Sequence, residues 1–417
     1  MSHEANDKAV LRPLGEKYMT IANQPVQAER RDLWNRHFSN QPTARPPIIA
    51  RFGMWNVWCK EMFSDAAMQC VDPFYREYER ALRLRLFHWT VGDDEVFDPW
   101  ITVRAAVSQH PDGVWGVKQS SVHSDDPGGA VKYVYPLKKL EDWRQMSATP
   151  HTIDEAETAR RVQKLSDAIG DIITINVNRA PLFSSWNADI STLLGNLRGI
   201  ENFMVDMLDN PDELHAMLAF MRDSILANQK EAEDAGDWGR CNHDTQAVQY
   251  CGDLKPPAPN VFGVKRNELF VFLAAQEYTG VSPRMHDEFI LQYQKPIIES
   301  FALAHYGCCE DLTRKIKILR QLKNLRSIAV TPSANVLKCA EQIGTDYVAS
   351  WRPSPTDMVC GRFDQDKIRS IIVDGHAGFA ANRCNYHINL KDVETLEGES
   401  DRLQRWVALV KRCVGDA

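Results

Sequence analysis

Apolar positions along the 417-residue chain fall into two alternating patterns. Short runs such as Ile48-Ile49-Ala50-Arg51-Phe52 and Ile172-Ile173-Thr174-Ile175-Asn176-Val177 are compact and β-branched, as strands buried on both faces are. Between them lie stretches with helical spacing. Asn210-Pro211-Asp212-Glu213 reads as a helix start, with Asn as cap, Pro in the first turn and Glu three residues on from the cap. Leu214, Leu218, Met221 and Ile225 then mark one apolar face. From there the pattern predicts strands at 245–250, 302–307, 327–330, 347–350 and 386–391, separated by helices at 283–300, 311–324, 334–343, 364–371 and 400–413. Strands alternating with helices, none with a wet face, predict a parallel sheet, and the length suits an α/β fold of the (β/α)8 TIM barrel type.

Two segments stand outside this alternation. Residues 1–45 look helical and end at Arg45-Pro46-Pro47, where two prolines force an extended chain, so an N-terminal helical arm is expected before a barrel over 46–417. Residues 100–121 look extended and turn-rich around Asp112-Gly113, which predicts an inserted β-hairpin region. No glycine-rich phosphate fingerprint of the G-x-G-x-x-G or G-x-x-x-x-G-K-[ST] kind is present, which argues against a nucleotide enzyme.

Charge narrows the choice of partner. With 49 basic and 56 acidic side chains the formal net charge is −7, so neither nucleic acid nor an anionic membrane is the expected partner. There is no uninterrupted apolar run of about 18 residues and no signal-peptide pattern. The 10 cysteines are scattered without the spacing of a disulfide scaffold, and are expected to be reduced thiols in a cytoplasmic protein. Small molecules or other proteins, including further copies of the chain, remain as partners.

In a barrel, chemistry sits on loops at the carboxyl ends of strands. His305-Tyr306-Gly307-Cys308-Cys309-Glu310 lies at such an end, where a following helix would favour a thiolate at Cys308 or Cys309 as nucleophile or metal ligand. His305 and Cys308 could supply two zinc ligands and Glu310 a third; equally, His305 could face the core and the thiols fill space. Lys391 and Asp392 end a later strand and could bind a polar substrate group, with Cys384 or His387 upstream as further metal donors, or form an ordinary surface pair. Arg352, between Trp351 and Pro353, is rigidly presented and could clamp a carboxylate or phosphate against the Trp351 ring. Eight of the 11 tryptophans precede residue 190, and Trp55, Trp58 and Trp100 are candidates to line a pocket for a flat or apolar ligand beside Asp98. His243 and Glu277, near other predicted strand ends, are further candidates for substrate contact and for acid or base work.

Arg45-Pro46-Pro47, Leu193-Leu194-Gly195-Asn196 followed by Asn210-Pro211, Ser282-Pro283, Tyr306-Gly307-Cys308-Cys309-Glu310 and Leu390-Lys391-Asp392-Val393 occur in an order that resembles the uroporphyrinogen decarboxylase superfamily. Within it, the likeness is to the divergent decarboxylase-like proteins found beside corrinoid methyltransferase systems. The resemblance spans nearly the whole chain and implies a (β/α)8 barrel. It also implies an enzyme that moves a methyl group from a small methoxy or N/S-methyl compound to a separate corrinoid protein. In the methyltransferase branch a strand-end His-x-Cys and a later Cys hold zinc, a place matched here by His305, Cys308 and Cys309. The chain departs from that pattern in its H-x-x-C spacing and in carrying Lys391-Asp392-Val393, with Cys384 displaced upstream, where the later cysteine is expected. Asp98, Glu277 and Asp392 are then the candidate acids for the leaving group. Two alternatives follow from the same superfamily. One is a metal-independent decarboxylase with Arg51 and Arg352 as carboxylate clamps; the other is a non-catalytic corrinoid or small-molecule binding protein.

Overall fold

The computed structural model describes residues 3–52, 62–124 and 130–415 of the chain. Eight strands run parallel to their neighbours: β1 (Ile48–Phe52), β2 (Trp100–Arg104), β3 (Thr174–Asn178), β4 (Phe270–Leu273), β5 (Leu303–Tyr306), β6 (Leu325–Val330), β7 (Val348–Trp351) and β8 (Asn385–Val393). Six form one curled sheet in the order β1-β8-β7-β6-β5-β4, and β2 pairs with β3 alone. That is the strand order of a (β/α)8 barrel left open at two seams: among the described residues no ladder joins β1 to β2 or β3 to β4.

The seams are open because side chains take the hydrogen bonds that neighbouring strands would make. Asp93 accepts from the Ala50 N–H and Asp94 from the Ile48 N–H, each at 2.8 Å, so the free edge of β1 is satisfied by carboxyl groups. On the other side His243 Nδ1 accepts from the Phe270 N–H at 3.2 Å, and the Asp244 N–H donates to the Phe270 carbonyl at 2.9 Å. The segment predicted as a strand at 245–250 lies in this seam as irregular chain, with Gln246 at φ +61° and the Thr245 hydroxyl turned back onto the Val248 carbonyl. The strand in its place is β4, Phe-Val-Phe-Leu, too short to stand out from its surroundings by pattern alone.

Successive side chains on the strands face opposite ways. Ile388 and Leu390, Ile328 and Val330, and Ala349 and Trp351 pack outward into the large core against the helices. The residues between them, His387, Asn389, Ser327 and Ser350, are buried on the inner side together with His305. Helix α1 (His3–Ala22) packs on the helices Pro73–Val91 and Glu155–Ile169. Helix α2 (Val26–Phe38) closes the amino-terminal end of the strands: His37 meets His387 at 2.8 Å, and the Phe38 ring lies 5.7 Å from that of Phe270.

Residues 100–121 are not one hairpin. Trp100–Arg104 is a parallel strand, and the antiparallel ribbon comes later, with Ser120–His123 paired to Val131–Val134. The helix predicted over 311–324 shrinks to Ile316–Leu319, whereas that predicted over 364–371 extends to Gln365–Ala381. No described helix is long and apolar enough to cross a membrane.

Candidate active site

After β5 the backbone turns sharply at Gly307, φ +103°, where a Cβ would stand 2.6 Å from Leu312 Cδ1. The turn brings Cys308 across the carboxyl ends of the strands. Glu310 fastens it there, one carboxyl oxygen accepting from the Cys308 N–H at 2.7 Å and the other from the Ala275 N–H at 2.8 Å. Cys308 Sγ then lies 3.1 Å from Lys391 Nζ and 3.5 Å from Cys309 Sγ. The Arg352 guanidinium donates to the Cys308 carbonyl and lies 3.1 Å from His305 Nε2. These groups face a cavity of about 230 Å³ whose other walls are Pro332, Ser333, Pro353, Pro355 and Asp392. Three prolines make a wall with little freedom to rearrange.

The electrostatics favour a thiolate at Cys308. The Cys309 thiol donates to it and, with the charges of Arg352 and Lys391, outweighs burial and brings Cys308 down to about 6. Cys309 is pushed far the other way, first by that same hydrogen bond and then by burial, so one thiol of the pair ionises and its neighbour keeps its proton. Burial pulls Lys391 down most strongly, but the Cys308 charge, together with Asp392 at 3.2 Å and Cys309, outweighs it and holds the ammonium above its ordinary value. Burial and the Arg352 charge drive His305 well below the usual histidine range, so it is a neutral ring. His305 also lies 3.0 Å from the Ser327 hydroxyl and 3.0 Å from the Gly307 carbonyl, and is wholly buried.

Of the residues singled out by sequence, Cys308, Cys309, Arg352, Lys391 and Asp392 therefore converge on one cavity. The others do not join it. Cys384 precedes β8, at the end opposite to Lys391, and its thiol meets the Ala340 carbonyl at 3.2 Å. Trp351 faces outward into the helix layer, its ring 5.6 Å from Phe379 and closely packed on Gly375. Trp100 starts β2, at the amino-terminal end of that strand. His243 has both ring nitrogens engaged, by the Lys255 carbonyl and the Phe270 N–H, and burial lowers it to about 4, so it seals a sheet edge as a neutral ring. Asp98 accepts from the Tyr250 hydroxyl at 2.5 Å and from Arg31 at 3.2 Å, lining a separate cavity of about 400 Å³ at the open seam with Arg51 and Asp244. Glu277 accepts from Ser191 at 2.6 Å and Thr192 at 3.1 Å, outside the thiol cavity. Trp55 and Trp58 lie outside the described residues.

The five residues read as zinc donors do not fit that ion. His305 has both nitrogens engaged inside the sheet, Glu310 binds backbone, Cys384 is at the far end, Cys309 is turned onto Cys308, and the Cys308 thiolate lies under the charges of Lys391 and Arg352. Among the described residues no group of three or more His, Cys, Asp or Glu side chains is placed to hold a metal ion.

Sequence reading missed the loop Pro332-Ser333, which follows β6 and walls the same cavity as Lys391. Its position after a predicted strand was the available signal. It also missed Asp189, a buried carboxyl held well above its ordinary range by burial and by Glu277, with which it shares the Thr192 hydroxyl.

No protein-family model and no curated protein matches the sequence. Among solved structures, a methyltransferase from Methanosarcina mazei superposes with a TM-score of 0.46 at 11% sequence identity, over 92% of this chain and 98% of that chain.

Proposed function

We propose that the protein is a group-transfer enzyme in which the Cys308 thiolate takes a small electrophilic group, most narrowly a methyl group, from a compact methoxy or N/S-methyl compound. The observation that carries this reading is the placing of Lys391 Nζ 3.1 Å from Cys308 Sγ on the wall of a small cavity at the strand ends. Sγ attacks the methyl carbon, the carbon–heteroatom bond breaks, and its electron pair leaves with the heteroatom. Lys391 is the acid. While the thiolate is present its charge, with Asp392, keeps the proton on Nζ; once Sγ is alkylated the larger of those two charges is gone, and burial with the neighbouring Arg352 favours release of the proton to the leaving group. Thiolate and ammonium become thioether and amine, so the site ends without new charge. Arg352 orients the Cys308 backbone through its carbonyl, and Asp392 closes the rim.

In the narrowest form of this reading the methyl group passes on to a separate corrinoid protein, a partner to which only the resemblance of the sequence points. No zinc is invoked. The decarboxylase alternative is weakened because Arg51 and Arg352 line different cavities and do not form one clamp. The binding-protein alternative leaves the thiolate beside its proton donor without a task.

The test uses a panel of methoxy, N-methyl and S-methyl compounds carrying isotope-labelled methyl groups. The label is expected on the tryptic peptide containing Cys308, at one methyl per chain, and is lost in Cys308→Ser but kept in Cys384→Ser. Label transfer that persists in Cys308→Ser would sink the reading. So would one zinc per chain, found by elemental analysis of the reduced protein and lost with Cys308.

A further inference from the structure

Cys308 and Cys309 are neighbours in sequence, and their side chains turn toward each other with Sγ atoms 3.5 Å apart. Their situations differ: Cys308 is largely buried but lines the cavity, while Cys309 is exposed. Neither is in a disulfide with any other described cysteine. A hydroperoxide is small enough for a cavity of about 230 Å³, and Lys391 and Arg352 there can stabilise the alkoxide or hydroxide that leaves when a thiolate attacks the O–O bond.

We infer that Cys308 and Cys309 form a reversible oxidative switch, in which a hydroperoxide converts the pair to a vicinal disulfide that closes the site. In the first step the Cys308 thiolate attacks the distal peroxide oxygen, giving a sulfenic acid and releasing hydroxide or alkoxide, which takes a proton from Lys391 or water. In the second, the Cys309 sulfur attacks the Cys308 sulfur, an S–S bond forms, and the sulfenic hydroxyl leaves as water with the Cys309 proton. Two thiols are oxidised by two electrons and one peroxide is reduced.

The bond so formed is easily reversed. Cα atoms across a trans peptide stand about 3.8 Å apart, less than the ~4.4–6.8 Å usual for disulfide-linked residues. The eight-membered ring is therefore strained, and strained, accessible disulfides are the ones that small dithiols reduce readily. Cys309 thus does two things for its neighbour: it donates the hydrogen bond that favours the thiolate, and it intercepts the sulfenic acid before further oxidation.

This inference rests on the proposed role of Cys308 as nucleophile only for its consequence, loss of turnover; the oxidation chemistry stands alone. The full chain is treated with hydrogen peroxide at neutral pH, quenched, and its tryptic peptides weighed with and without dithiothreitol. The peptide holding both cysteines is expected to lose 2 mass units, to resist iodoacetamide, and to recover with dithiothreitol. In Cys309→Ser the same peptide is expected to gain 16 and then 32 units instead. If the wild-type peptide gains oxygen as Cys309→Ser does, or stays reduced while other cysteines oxidise, the switch is refuted. Those outcomes leave the group-transfer reading untouched, because that reading falls with methyl labelling in Cys308→Ser or with a zinc ion lost with Cys308.

Discussion

One stretch of six residues holds both the strongest and the weakest site expectation. His305 and Cys308 are three apart, yet the strand carries His305 into the sheet interior, where burial and then the Arg352 charge keep it neutral, and the Gly307 turn lifts Cys308 out to the cavity. After the Cys309 hydrogen bond and the Arg352 charge, the Lys391 cation adds its own charge and hydrogen bond in favour of a thiolate at Cys308, so Lys391→Met is expected to raise the pH midpoint of Cys308 alkylation. With a starting value of about 6, the rate with iodoacetamide at pH 6.5 should fall by roughly three- to tenfold, read by mass spectrometry of the Cys308 peptide. An unmoved midpoint would mean that Cys309 and Arg352 alone set the thiolate. Spacing could nominate these residues, but only the fold could say that Lys391, 83 positions along the chain, meets Cys308.

At the scale of elements, the open seams rest on a few buried carboxyl groups. Asp94 is 3% exposed, accepts from the Ile48 N–H at 2.8 Å and pairs with Arg45 at 2.7 Å. Asp94→Ala removes the carboxylate to which the Ile48 N–H and the Arg45 guanidinium donate and is expected to cost about 3 kcal/mol, measured by urea unfolding. A loss under about 1 kcal/mol would show that β1 is held by its ladder to β8 alone. Outside the sheet, Gly375 sits on the Trp351 ring, where a Cβ would come within 2.3 Å of Cη2. Gly375→Ala should therefore destabilise the chain by about 1–3 kcal/mol and change the Trp351 fluorescence, since the ring must move. Most elements were legible here because a period of 2 or 3.6 survives in the pattern, as in Pro211–Asp234. Residues 245–250 were not: Ala247, Val248 and Tyr250 are buried in a seam, which looks like strand burial in the sequence although no ladder forms there.

Across the molecule, neutral buried histidines make the folded state vulnerable to acid. Burial lowers His37 and His286 to about 3 and His243 to about 4, with His305 and His387 also held well below the ordinary value. In the unfolded chain these rings protonate near pH 6.5. Below that pH the unfolded state binds more protons, so stability is full above about 6.5 and falls as the pH drops toward the folded values, by up to about 1.4 kcal/mol per pH unit for each ring. The urea midpoint should therefore drop steeply between pH 6.5 and 5. Equal midpoints at the two values would show that the rings take up protons without unfolding.

The sequence by itself determined the strand and helix alternation, the parallel α/β class and the thiol-bearing strand end, because each is written in local period, turn chemistry or residue type. The tertiary structure decided which of the nominated residues meet. It left the barrel open where Asp93, Asp94 and His243 take the edge hydrogen bonds, turned Trp351 and Cys384 away, and set a lysine and an arginine beside Cys308. Whether a histidine and a cysteine three residues apart act as zinc ligands, or as a buried ring and a nucleophile, depends on charges that arrive from distant strands, and no local spacing records them.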